Sequence, residues 1–379
     1  MTDQPHLIDE IGGGTYAIDE ARWCSDARTS LAVSRLPGIT RDRIDGSTRS
    51  LWRYRAAFPI EFDNPVSLGE GCTPLVSRSF RGKQALFKLE WFAPSGSFKD
   101  RGASVMLSLL RQQGVREVAE DSSGNGGAAV AAFGAAAGMK VHILAPDNTS
   151  PSKIAQIGAY GAHVHLIPGP REATEAAALE MAERVFYASH NWHPFFLQGT
   201  KTLGYELWED LGFRAPDNII IPTGAGSNVL GCDLAFRELQ AAGEIERLPR
   251  LFVAQPVNCG PIDAAFRAGV RDHVETDFAP TIAEGTAIKR PLRMKGLLDA
   301  IRRSDGGTVA IPEEGILAAA LDLAKGGLFA EPTSATAAAA FDELINRGEI
   351  APDEVTVVVL TGGGLKAAGF YERALSEIG

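Results

Sequence analysis

The chain is 379 residues long, and its 37 Lys and Arg against 47 Asp and Glu leave a formal net charge of −10. At about 150 residues per domain the length suits roughly two to three domains, and an acidic chain without a long basic run is a poor candidate for nucleic-acid binding by phosphate neutralisation. A composition of 45% hydrophobic and 22% charged residues excludes wholesale disorder.

Cys24, Cys72, Cys232 and Cys259 stand apart, with no C-x-x-C pair. That spacing excludes a zinc ribbon, a thioredoxin-like motif and a disulfide scaffold, and it suits a reducing compartment. The first residues, MTDQPHLIDEIGGG, have neither the basic nor the apolar stretch of a secretory leader. The longest apolar run, residues 128–137, is far shorter than a membrane span. A soluble, cytoplasmic protein without a membrane partner is expected.

Residues 1–66 are mixed and weakly periodic, suggesting loops and short helices. Beyond them strands and helices alternate. ALFKL (85–89) reads as a strand, 103–113 as a helix stopped by Gly114, and 116–119 as a strand. SSGNGG (122–127) is a polar turn, 128–137 a helix stopped by Gly138, and KVHILA (140–145) a strand. Residues 152–160 read as a helix, 163–167 as a strand and 171–184 as a helix. After a break near 187–202 the alternation returns: helix 204–211, strand 218–222, helix 226–242, strand 250–255. An irregular stretch, 258–307, precedes helices 312–325 and 334–347, a strand at 355–360 and a last helix from Leu365. Short links between alternating elements imply parallel sheets flanked by helices, in two α/β units. Ligands of such folds bind beyond the carboxyl ends of strands.

Four stretches fall at that place. In SGSFKDRG (95–102), Lys99 lies between a glycine turn and an apolar helix. The positive helix start and partial burial both disfavour its ammonium form and favour the nucleophilic amine. SSGN (122–125) is either an N-cap with turn residues or an anion cradle. GAGSN (224–228), after the apolar strand IIIP, lacks the third glycine of a dinucleotide loop, since Val229 stands there, and lacks the lysine of a P-loop. It suits a single phosphate group. TGGGLK (361–366) is a tight strand–helix turn or a ligand contact. The spacing of His190 and His193 in an aromatic-rich segment reads as packing or a loop contact, Cys72 reads as structural, and no metal is expected.

Together with LGEGCTPL (68–75) and EPTSA (331–335), these stretches in this order resemble the fold type II pyridoxal-phosphate enzymes, and among them the threonine synthase family, over residues 67–366. The resemblance implies an α/β fold of two parallel-sheet domains, tryptophan synthase β-like, with pyridoxal 5'-phosphate in the cleft between them. The implied division is an N-terminal segment, 1–66, packed on the large domain; a large-domain strand region, 67–99, leading to the Schiff-base lysine; a small α/β domain, 100–200; and a large α/β domain, 201–379, holding the cofactor phosphate. A homodimer is usual for the family.

Carried over residue by residue, the resemblance makes Lys99 the Schiff-base lysine and proton carrier, with Phe98 flanking the ring. Asn125 meets the ring hydroxyl, and Gly224, Ala225, Gly226, Ser227 and Asn228 hold the phosphate. Thr361 faces the pyridine nitrogen. A hydroxyl there leaves that nitrogen largely unprotonated, which suits elimination and replacement more than transamination. Ser122, Ser123 and Gly124 take the substrate's α-carboxylate.

One departure concerns the substrate. Threonine synthases commonly carry an arginine for the substrate phosphate in the segment that here reads HNWHPFFLQGTK (190–201), where Phe195 and Phe196 stand instead. Lys88, Lys201, Lys289 and Arg290 are the cations left to replace it, with Lys88 and Lys289 the expected substrate contacts. The implied reaction is elimination or replacement on a small amino acid, O-phosphohomoserine to threonine in the family's pattern. Two alternatives stay open: a serine/threonine dehydratase or β-replacement enzyme on a serine-derived substrate, and a non-catalytic cofactor-binding relative, against which the intact Lys99 argues.

Overall fold

A computed structural model describes residues 4–147, 149, 151–169 and 171–378. Three short strands, β1 (His6–Asp9), β2 (Thr15–Ala17) and β3 (Leu31–Val33), pair antiparallel in the order β2-β1-β3. A hairpin of β4 (Leu75–Phe80) and β5 (Lys83–Leu89) follows. Its two-residue turn, Arg81-Gly82, has φ of 50° and 78°, the double left-handed conformation that matches the twist of paired strands.

Next come α1 (Lys99–Gln112), β6 (Glu117–Glu120), α2 (Asn125–Ala136), β7 (Lys140–Pro146), α3 (Pro151–Ala159), β8 (His163–Ile167), α4 (Arg171–Met181), β9 (Phe186–Tyr187) and α5 (Pro194–Thr200). Their strands form a parallel sheet in the order β8-β7-β6-β9. The remainder is α6 (Thr202–Asp210), β10 (Asn218–Pro222), α7 (Ser227–Ala241), β11 (Arg250–Pro256), α8 (Pro261–Arg267), α9 (Met294–Arg303), β12 (Gly307–Ile311), α10 (Glu313–Lys325), α11 (Pro332–Asn346), β13 (Thr356–Leu360) and α12 (Ala368–Ile378). The larger sheet runs β12-β11-β10-β13-β5-β4, parallel except for β4 at its edge. Every residue of NIIIP in β10 and TVVVL in β13 is buried, as befits central parallel strands covered on both faces.

The chain divides into two compact units: Met1–Cys72, Ala93–Ser95 and Lys99–Thr202 in the first; Thr73–Phe92, Gly96–Phe98 and Leu203–Gly379 in the second. This differs from the expected division at the N-terminus. Leu7, Leu31, Leu51, Trp52 and Phe58 share one apolar cluster with Val105 and Leu109 of α1 and Phe195 of α5. The opening segment therefore belongs with the smaller sheet, not the larger one. Trp52 adds direction, its indole N–H lying 3.0 Å from both Glu70 Oε1 and Ser104 Oγ.

Strands β8 and β10 fall where the alternation places them. Helices α1 and α2 begin earlier than expected, at Lys99 and Asn125, so both residues stand on the first turn of a helix. The stretch 258–307 contains α8 and α9, and α9 buries Met294, Leu297, Leu298 and Ile301 on one face. Among the described residues no helix is long and apolar enough to cross a membrane.

Candidate active site

In the first unit, Lys99 opens α1 and is half-buried. The next residue, Asp100, is fully buried; its carboxylate accepts the Ser95 backbone N–H at 2.6 Å and the Ser95 hydroxyl. A carboxylate so placed offsets the positive end of the helix. Arg101, also fully buried, donates to Thr202 Oγ1 at 3.3 Å. Gly102 lets α5 come close: a Cβ there would lie 2.5 Å from the Phe196 ring. That approach sets Lys99 Nζ 5.5 Å from the centre of the same ring.

Ser122, Ser123 and Gly124 lie between β6 and α2, with Gly124 as the capping residue and Asn125 as the first helical one. The first N–H groups of a helix have no partner within it and point toward such a turn. Glu120, fully buried at the end of β6, holds His190 twice: Oε1 is 2.7 Å from Nδ1 and Oε2 accepts the backbone N–H at 2.9 Å. A side chain at Gly126 would meet both His190 Nδ1 and Ser122 Oγ at 2.9 Å. His190 thus belongs to this turn, a placement its spacing from His193 does not reveal. His193 has another duty. It caps α5 by accepting the Phe195 N–H at 3.2 Å, and burial pushes its pKa down to about 3, so it is neutral.

In the second unit, residues 224–228 join β10 to α7. Gly226 caps the helix with φ of 89°, and a Cβ there would lie 2.2 Å from Leu297 of α9. Asn228, 3% exposed, has neither side-chain amide atom paired within the protein. Leaving a buried amide unpaired costs about 1–3 kcal/mol. Such an atom beside a 15-residue helix start is what a site made for an anionic guest requires. The residues present therefore fit a phosphate monoester.

β13 lies beside β10 and parallel to it, so residues 361–366 leave the same edge of the sheet as 224–228. Thr361 is 2% exposed. Its carbonyl accepts the Phe98 N–H at 3.0 Å, and its hydroxyl lies 3.1 Å from Ser334 Oγ in EPTSA. The preceding Ser97 bridges to Gly362. Ser334 went unassigned in the sequence although its motif was visible.

The cations sort themselves differently from expectation. Lys88 is fully buried, with Nζ 2.6 Å from Glu206 Oε1, 2.7 Å from Asp210 Oδ2 and 2.7 Å from Thr73 O. An ammonium has three protons, and these acceptors take all of them, which corrects its assignment as a substrate contact. Lys201 is likewise fully buried and donates to Ala57 O at 2.8 Å. Lys289 and Arg290 are exposed. Their segment is anchored beside the 224–228 turn, since a Cβ at Gly224 would meet Gly285, Thr286 and Ile288 at 3.0 Å.

The family described as pyridoxal-phosphate dependent enzyme matches residues 66–362, and the chain belongs to it. It is a lyase or synthase acting on a small amino acid, with pyridoxal phosphate as its cofactor. It is 32% identical to the threonine synthase of Methanocaldococcus jannaschii, with 96% of this chain and 94% of the relative covered. To the threonine synthase of Methanosarcina acetivorans it is 33% identical, over 86% of this chain and 83% of the relative. Its fold is also that of the processed form of threonine deaminase isoform 2 from Solanum lycopersicum, with a TM-score of 0.69 at 23% identity over 81% of this chain and 84% of the other.

Proposed function

We propose that the chain carries out the threonine-synthase reaction, O-phosphohomoserine to threonine. The supporting observation is its likeness, along nearly its whole length, to a protein of that name. When bound, pyridoxal phosphate supplies the electron sink for the pair left by the departing α-proton. Lys99 is the amine that would anchor it and hold or move that proton. Phe98 would flank the ring, and Asn125 would donate to its hydroxyl. Residues 224–228 would hold its phosphate through the N–H groups of α7, and Thr361 would meet the ring nitrogen. Ser122, Ser123 and Gly124 would bind the substrate carboxylate at the start of α2.

With Lys88 and Lys201 committed elsewhere, Lys289 and Arg290 are the cations this reading assigns to the substrate phosphate. A second reading, elimination from an unphosphorylated serine or threonine, is favoured by Phe196, an apolar ring beside Lys99 at the segment where the family's arginine is expected. Steady-state kinetics decide between them. Threonine release from O-phosphohomoserine, with KM raised about tenfold or more by Lys289→Ala or Arg290→Ala, supports the first. Ammonia release from serine or threonine with an inert phosphoester establishes the second.

We also propose a cytoplasmic homodimer. All four cysteines are thiols, and Phe92, Phe329 and Leu365 of the second unit are 63%, 40% and 83% exposed, apolar area that a second copy would cover.

A further inference from the structure

We infer that Ser334 is a positioning residue that turns the Thr361 hydroxyl into a hydrogen-bond donor toward the cofactor's ring nitrogen. The inference rests on the proposed role of Thr361.

Ser334 stands on the first turn of α11 and is fully buried. Its oxygen accepts the Gly362 N–H at 2.9 Å. That leaves one hydroxyl proton to place, and two oxygens lie 3.1 Å away: the Gly362 carbonyl and Thr361 Oγ1. The carbonyl already receives the Glu331 N–H at 3.0 Å, whereas Ser334 is the hydrogen-bond partner of Thr361 Oγ1; of the two acceptors open to the Ser334 proton, Thr361 is the one assigned to it. A hydroxyl has one proton to give and two lone pairs to offer. Once Thr361 accepts from Ser334, its own proton is directed to a third group. Each donor in such a chain is strengthened by the bond it accepts. The order of donation is then Gly362 N–H to Ser334, Ser334 to Thr361, and Thr361 to the ring nitrogen. A nitrogen at the end of that chain is held as an acceptor, without a proton.

The same geometry explains why an α11 residue governs a turn after β13. Gly362 is tied to the helix start on both sides, its N–H donating to Ser334 and its carbonyl accepting from Glu331, so the Ser334 oxygen is held beside Thr361 by a buried bond.

The test uses holoenzyme loaded with pyridoxal phosphate labelled with 15N in the ring, reading the nitrogen's chemical shift and the cofactor's Kd. Wild type should show the unprotonated position. Ser334→Ala should move it toward the protonated one and raise Kd about tenfold, the effect of one lost buried partner; Ser334→Thr, which keeps the hydroxyl, should restore both. Thr361→Ala separates the two claims. If it moves neither shift nor Kd, Thr361 does not meet the ring and the reading beneath the inference fails. If it moves both and Ser334→Ala moves neither, the role of Ser334 alone is overturned. Should Ser334→Ala fail to fold, a protonated shift in wild type overturns the donation order by itself.

Discussion

Lys88→Met separates a structural lysine from a substrate-binding one. The ammonium is fully buried, and of its carboxylate partners Glu206 is 3% and Asp210 34% exposed in the side chain. Glu206 Oε1 is shared, since it also accepts the Thr73 N–H at 2.7 Å, while the Thr73 hydroxyl donates to Glu90 at 2.6 Å. Removing the cation strands one deeply buried carboxylate and one half-buried one. Breaking a buried pair from one side costs about 3–5 kcal/mol, or about 6–20 °C in Tm for a unit of this size. Urea denaturation of wild type and variant, followed by circular dichroism, reads the loss directly. Adding Glu206→Gln and Asp210→Asn to Lys88→Met should recover part of it, because an uncharged cluster carries no stranded charge. The decisive companion is KM for O-phosphohomoserine in the folded variant, expected to stay within about twofold of wild type. A variant within about 1 kcal/mol of wild-type stability, with KM raised tenfold for the phosphoester and unchanged for serine, would refute the reasoning and return Lys88 to the substrate.

Three more outcomes are expected. His193, with its folded pKa pushed down from 6.5 to about 3, binds fewer protons folded than unfolded. Its contribution is therefore complete above about pH 6.5 and is lost on acidification at about 1.4 kcal/mol per pH unit. His193→Asn, which keeps an oxygen for the Phe195 N–H, should flatten the urea midpoint between pH 6.5 and 4.5; an unchanged slope would place the acid sensitivity in another group. Asn228→Leu should leave the unloaded protein as stable as wild type or more so, while cofactor Kd rises tenfold or more; equal affinity by equilibrium titration would mean the amide does not face the phosphate. Borohydride treatment of loaded enzyme should fix the cofactor on the peptide carrying Lys99, as mass spectrometry will read, and label on any other lysine removes Lys99 from its role.

Most of the parallel-sheet alternation was legible because β10 and β13 are bounded apolar runs and the turns after them are rich in glycine. The N-terminal segment was not, because its strands are three or four residues long and its partners, Val105, Leu109 and Phe195, lie far along the chain. Helix α9 was hidden by Lys and Arg around its buried stripe, and β4 by its exposed, polar middle. In the site, Lys99, SSGN, GAGSN and TGGGLK stood out as short contiguous motifs. What could not be read was pairing at a distance. Lys88 reads as available in a string of letters because Glu206 and Asp210 are more than a hundred positions away. Glu120 and His190 are 70 apart, and Ser334 and Thr361 are 27 apart. Local chemistry is written in neighbours, whereas these pairs exist because helices α6 and α11 return to the sheet beside β5 and the end of β13, and because β6 and β9 run parallel side by side.

The unpartnered amide of Asn228 reaches beyond catalysis to the protein's life in a cell. A chain that carries an unsatisfied group until its guest arrives gains more from loading than contact with the guest alone would supply. Copies without the cofactor are expected to open more often than loaded ones, a difference that limited proteolysis with and without pyridoxal phosphate would read. The folded state of this enzyme is therefore expected to be coupled to cofactor loading, with the Asn228 amide one of the groups through which that coupling acts.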